Sequence, residues 1–138
     1  MKKLFLILSL LINFSFAETR NWAYLLDNNN NFLIVELAKT PKEQQKGLMY
    51  KPYILPFYGM LFVFEYPQPL TFWMKNTLSN LDIRFYNNSQ FLINHHYATP
   101  CLSDPCDIYP SNGIARFVLE VNPKISNNLG TFIFYYEK

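Results

Sequence analysis

Two apolar, aromatic runs constrain any fold of this chain: Gly59-Met60-Leu61-Phe62-Val63-Phe64 and, a little further on, Phe72-Trp73-Met74-Lys75-Asn76-Thr77. Between them stands Glu65-Tyr66-Pro67-Gln68-Pro69. Runs rich in Phe, Val and Trp around a proline-marked break predict two β-strands joined by a turn or loop. The first run is apolar at every position, as expected of a strand buried on both faces. The second alternates, with Phe72, Met74 and Asn76 on one side and Thr71, Trp73, Lys75 and Thr77 on the other. A Trp and a Lys side by side on one face is its most unusual feature.

Around these runs the chain reads as short strands. Residues 22–26 and 32–38 predict a hairpin across Asp27-Asn28-Asn29-Asn30-Asn31, residue types that tolerate left-handed backbone angles. Thr40-Pro41-Lys42-Glu43 predicts a helix start, with Thr40 as cap, Pro41 in the first turn and Glu43 completing a capping box. Gly47 can end that helix in the left-handed conformation. Residues 50–58 form an aromatic, proline-bearing loop. Residues 81–86 alternate as a strand, with Leu81, Ile83 and Phe85 opposite Asp82, Arg84 and Tyr86. A strand is expected over 91–97, a loop over 98–112 and another strand over 114–121. A second short helix should start at Asn122-Pro123, and a last strand should span 131–136 after Gly130. Short links between neighbouring strands suit antiparallel pairing. The expected class is mostly β, a β-sandwich or partly closed barrel with two short helices.

With 138 residues the chain has room for one domain and one core. Residues 1–17 stand apart. Lys2 and Lys3 precede an apolar run, and Ser15-Phe16-Ala17 closes it with small residues at the positions a signal peptidase reads. A cleaved signal peptide, followed by a single β-rich domain over 18–138, is expected; an uncleaved N-terminal anchor is the alternative. Lys+Arg number 12 and Asp+Glu 10, so loss of Lys2 and Lys3 leaves the charges balanced. A nucleic-acid partner, which would want a basic excess, is therefore not expected. Nor is a membrane span after signal removal. Cys101 and Cys106 are the only cysteines. In an oxidising compartment they are expected to form a disulfide, contributing about 2 kcal/mol by closing a short loop.

These blocks, taken in order, resemble the domain-of-unknown-function 192 family of small bacterial and archaeal proteins. The resemblance spans about residues 35–130. It rests on Ala38-x-Thr40 with its short helix, Gly47-Leu48-Met49, the residue 59–64 run, Trp73-Met74-Lys75-Asn76-Thr77, Leu81-Asp82-Ile83, Tyr109-x-Ser111 and Val118-Leu119-Glu120. The cysteine-bearing loop is similar to that of exported members. At the end the chain departs from the pattern, because Gly130 runs directly into Thr-Phe-Ile-Phe-Tyr-Tyr without the usual Gly-Asp turn. The resemblance implies a sandwich- or barrel-like β fold and no established activity.

Trp73, Lys75 and Asn76 are the first functional candidates, with Met49, Tyr109 and Ser111 as neighbours on adjoining loops. An amphipathic ring, a point charge and an amide can hold an anionic or sugar-like ligand. Equally, Trp73 can pack under a loop while Lys75 snorkels or pairs with Asp82 or Glu120. Asp82, Arg84 and Glu120 are charges on apolar strands; the simplest reading puts them on a solvated face, the sharper one beside Lys75. His95 and His96 are adjacent, so on a strand they face opposite ways and cannot share a metal. Tyr50, Tyr53, Phe57 and Tyr58 crowd one loop, either as a contact surface for protein, glycan or membrane or as a lid. No cofactor, metal or catalytic group is assigned. The leading expectation is a monomeric binding or accessory module for a small ligand or an envelope protein. An envelope enzyme using Lys75 with an acidic partner, or a purely structural protein, are the competing readings.

Overall fold

The structure, a computed structural model, describes residues 21–130 and the backbone of residues 132 and 133. The expected signal peptide, residues 1–17, and most of the expected last strand lie outside the described residues. The elements are β1 (Trp22–Asp27), β2 (Phe32–Ala38), α1 (Pro41–Lys46), β3 (Tyr58–Trp73), β4 (Leu81–Tyr86), β5 (Leu92–Ala98), β6 (Ile108–Val121), α2 (Pro123–Ser126) and β7 (Phe132–Ile133). The strands form one seven-stranded sheet in the order β5-β4-β6-β3-β2-β1-β7, mostly antiparallel and not closed into a barrel. Among the described residues no helix is long and apolar enough to cross a membrane.

The predicted hairpin and first helix form for the predicted reasons. The Asp27 carboxylate accepts the N–H groups of Asn29 and Asn31, and Asn30 takes a left-handed φ of 62°. Thr40 accepts from the Glu43 N–H while the Glu43 carboxylate accepts from the Thr40 N–H, a complete capping box. Gly47 ends α1 at φ 47°.

Three expectations are corrected. β2 and β3 pair in parallel, because residues 39–57, with α1, carry the chain back before β3 begins. The first run and the start of the second, Phe72-Trp73, belong to one strand: the proline-bearing stretch between them is absorbed as register shifts between Val63 and Gln68 and between Pro69 and Thr71. The strand expected from 114 starts at Ile108, so Tyr109 and Ser111 lie on β6 and not in a turn. Its N-terminal half gains a partner that local sequence does not announce, the distal half of β3.

That bent β3–β6 ribbon gives the single sheet two cores. On one face Leu25, Val35, Leu61, Phe117 and Leu119 pack under Ile125 and Leu129. On the other, Met60, Phe62, Ile83, Phe85 and Val118 are covered by Leu48, Ile54, Leu70 and Met74. The ribbon folds back over this second face: the Phe72 ring meets Phe62 edge-on at 4.9 Å and Phe85 at 5.6 Å. Ser111 repairs the ladder at the irregularity. Its hydroxyl accepts from the Leu70 N–H (3.0 Å) and donates to the Gly113 carbonyl (2.6 Å).

Gly59 marks the closest approach of β3 to β6. A Cβ there would lie 2.5 Å from the Glu120 carbonyl oxygen and 2.9 Å from a Val121 methyl. Backbone cannot move aside cheaply, so Gly59→Ala is expected to cost about 3 kcal/mol in urea denaturation. A cost well below about 1 kcal/mol would show that the ladder relaxes around the methyl.

Candidate functional site

The sequence-predicted site divides into three places. The first is the turn after β3. Trp73 ends the strand half-exposed, Met74 plugs the second core, and the chain reverses at Lys75 and Asn76. Asn76 sits at φ 56°, a left-handed conformation that Asn tolerates. Its carbonyl accepts the Tyr50 N–H at 2.8 Å, and its amide reaches the Met49 sulfur at 4.0 Å. Tyr50 is itself left-handed at φ 64°, which is strained for a bulky side chain. Two left-handed residues thus lock the Trp73–Asn76 turn onto the segment that follows α1, and backbone strain of this kind gathers at functional sites. The Lys75 ammonium stands 5.5 Å from the Trp73 ring centre and 3.4 Å from the Asp104 carboxylate. Asp104 is carried by the loop that the Cys101–Cys106 disulfide closes. Lys75 and Asp104 are both well exposed, so their pairing is worth little. Beside this loop is a small recess of about 130 Å³, lined by Met74, Cys101, Asp107 and Tyr109 among others. Ser111 is buried with its hydroxyl committed to backbone.

The second place is Glu120, on the second-core face of β6. It is 4% exposed, its cross-strand neighbours are Met60 and Ile83, and one carboxylate oxygen lies behind Gly47 and the Phe62 ring. Among the described residues no hydrogen-bond donor or cation reaches it. Burial alone pushes its carboxyl up to about 8, so near neutral pH the group keeps its proton and can donate a hydrogen bond.

The third place is on the opposite face of the sheet. Asp82 is fully buried and accepts from Arg84 Nη1 (3.0 Å), from the Ser126 hydroxyl, and pairs with His95 Nδ1 (2.9 Å). Arg84 Nε reaches the Tyr86 hydroxyl at 3.1 Å and Nη1 the Ser126 hydroxyl at 3.2 Å. The expectation that Asp82, Arg84 and Glu120 line a solvated face is therefore wrong: β4 and the C-terminal end of β6 lie inside the sheet and are covered on both sides, so residues 81–86 and 117–121 are all buried. Nor do they form one group with Lys75, since alternation sends Asp82 and Arg84 to one face and Glu120 to the other. The serine bonds the aspartate and not the histidine, which is not the order of a nucleophilic relay. His95 and His96 do face opposite ways, His95 toward Asp82 and His96 toward the Pro110 carbonyl.

A fourth arrangement escaped sequence reasoning. Across the sheet, Trp22, Glu36, Met60 and Glu120 are successive partners in one row. Trp22, Glu36 and Met60, together with Glu43, Lys46, Gly47 and Lys51, border a cleft of about 300 Å³. Glu36 Oε1 accepts from Lys51 (3.0 Å) and from the Tyr58 hydroxyl (2.5 Å). Burial and the Glu36 bond push Tyr58 up to about 12. The same bond raises Lys51 despite its partial burial. A lone glutamate at the polar position of an otherwise apolar strand was the available signal; its partners, 15 and 22 residues away, carry none.

No curated protein matches the chain. Among solved structures it is similar to a candidate transcription regulator from Sinorhizobium meliloti 1021, with 31% identity, 80% of this chain and 91% of that one covered, and a TM-score of 0.67. It is also similar to a protein of unknown function from Novosphingobium aromaticivorans DSM 12444, with 28% identity, coverage of 82% and 84%, and a TM-score of 0.69. The DUF192 family model, described as Uncharacterized ACR, matches residues 24–132, which is almost the whole described sheet, including the strands that carry Trp73, Glu120 and Asp82. The chain belongs to the DUF192 family.

Proposed function

We propose that the protein is an exported binding or accessory module, periplasmic or secreted, whose ligand surface is the Trp73–Lys75–Asn76 turn. One observation carries the reading. Trp73 is 47% exposed with the Lys75 ammonium over its ring, on a turn braced by two left-handed residues. An aromatic face beside a cation suits a small anionic or sugar-like ligand. The basic, apolar N-terminal segment and the disulfide support export. The balanced charge expected of the mature chain weighs against extending the regulator label of the Sinorhizobium protein to DNA binding here. The binding reading is favoured over an enzyme built on Lys75, because the two buried acids, Asp82 and Glu120, do not pair with it.

The test is a thermal-shift and NMR screen of the purified protein against phosphorylated metabolites and sugars, repeated on Lys75→Ala. The variant by itself should change stability by less than about 1 kcal/mol, since its ion pair is exposed. A compound that stabilises the wild type and not the folded variant supports the site. If nothing binds and Lys75→Ala melts several degrees lower, Lys75 is a folding residue and the proposal fails.

A further inference from the structure

The cleft beside Gly47 is separate from the Trp73 turn, and its chemistry is of another kind. Its charged walls carry both signs in equal number, Glu36 and Glu43 against Lys46 and Lys51. A site evolved for an ion shows an excess of the opposite charge, whereas this balance offers hydrogen-bond donors and acceptors to a neutral guest. The acidic groups are held in place. Glu43 is fixed by the Thr40 and Lys39 N–H groups and by the Asn21 amide. Glu36 is fixed through Oε1, while Oε2 takes no partner among the described residues. Such preorganised groups bind without first having to be ordered.

An aromatic strip leaves the cleft along the same sheet face. Trp22, which lines the cleft, is 50% exposed, and its ring lies 6.0 Å from that of Tyr58. Next along β1, Tyr24 is 67% exposed and stacks on Phe32 of β2 at 5.6 Å with planes 20° apart. Half-exposed rings in a row, ending in a cleft of two held carboxylates and the Glu36-bound Lys51 ammonium, suit a guest that is apolar on one face and hydroxylated at its rim. A pyranose has that shape: its C–H face stacks on a ring while its hydroxyls both donate and accept.

We propose that this cleft and the Trp22–Tyr24–Phe32 strip form a binding site for a neutral oligosaccharide, with Trp22 as the stacking platform and the Glu36–Lys51 pair as the hydroxyl-binding group. A peptide is the competing occupant of such an aromatic surface, and the experiment separates the two.

The experiment is a titration of Trp73→Phe protein with a chito-oligosaccharide and with a β-linked gluco-oligosaccharide, read by tryptophan emission and amide NMR shifts. Removing Trp73 leaves Trp22 as the reporter, so failure of the Trp73–Lys75 proposal leaves this result readable, and the reverse holds too. Saturable binding of either sugar is expected, with shifts on β1, β2 and the Gly47 turn. Adding Trp22→Ala, at an exposed position that the core does not need, should weaken it about tenfold or more, read by amide NMR shifts because no tryptophan then remains. Glu36→Gln should weaken it while keeping the fold, checked by an unchanged melting curve at β1–β2 amides. The proposal is overturned by absence of binding up to about 10 mM sugar, by undiminished binding in Trp22→Ala, or by an unstructured peptide competing on the same residues as well as the sugars do.

Discussion

Glu120→Gln should make the protein more stable, and increasingly so as the pH rises. The cause is the burial of a carboxyl with neither donor nor cation within reach among the described residues, which pushes its pKa from 4.5 up to about 8. In the unfolded chain the group loses its proton near the ordinary glutamate value, whereas the folded chain holds it until about pH 8. Between those limits the folded state binds more protons, so the stability of the wild type falls as the pH climbs through this window. The loss over the whole window is on the order of 5 kcal/mol, at about 1.4 kcal/mol per pH unit of displacement. Gln keeps the neutral shape and does not titrate. It should match the wild type at pH 5 and exceed it by about 2–4 kcal/mol at pH 9, after allowing for an amide with no better partners than the acid had. In a domain of this size that is a rise of roughly 10 °C in midpoint. Urea denaturation of both proteins at the two pH values isolates Glu120, because every other titrating group is common to them. Parallel pH dependence in the two proteins would remove the buried acid from the account. A residue whose neutral replacement stabilises the fold is being kept for another reason, and binding or chemistry at Glu120 is then the place to look.

Asp82→Ala should do the opposite. Asp82 is fully buried and binds Arg84, His95 and Ser126 at once. Arg84 is 6% exposed and touches Tyr86 and Ser126 as well, so the network ties β4 and β5 to α2 over the first core. Taking away the carboxylate leaves a guanidinium in the interior without its counter-charge, at a cost of about 3–5 kcal/mol. Replacing both partners at once, Asp82→Leu with Arg84→Met, removes the charge together with its need for a partner. The double variant should recover most of that loss. Chemical denaturation of the three proteins decides it. If the double variant is no more stable than Asp82→Ala, the charges are not coupled in the way their geometry implies.

The contrast between these two acids shows where sequence reasoning stops. Both are single charges on apolar strands, and the alternation of Leu81, Ile83 and Phe85 with Asp82, Arg84 and Tyr86 is plain in the chain and present in β4. Alternation assigns faces; it does not say whether either face meets water. That depends on the strand's place in the sheet. β4 and β6 lie between others, one face roofed by α2 and the other by the bent β3–β6 ribbon. Alternation also failed at Lys75 and Asn76, because the strand ends at Trp73 and a left-handed Asn76 turns the chain before the period continues. The Trp22–Glu36–Lys51–Tyr58 arrangement left almost no trace, since three strands and a loop meet there through the parallel β2–β3 pairing.

Sequence by itself determined what depends on neighbours a few residues apart. The α1 capping box, the Asn-rich hairpin, the cysteine pair, the strand periods and the motif order that marks the family are all local signals, set by backbone sterics and short-range hydrogen bonds. Tertiary structure alone decided the parallel pairing of β2 with β3, the early start of β6, the burial and sidedness of Asp82 and Glu120, and the cleft at Gly47. Those are contacts between segments distant in the chain, chosen by which apolar faces can be covered together, and no single stretch carries that information.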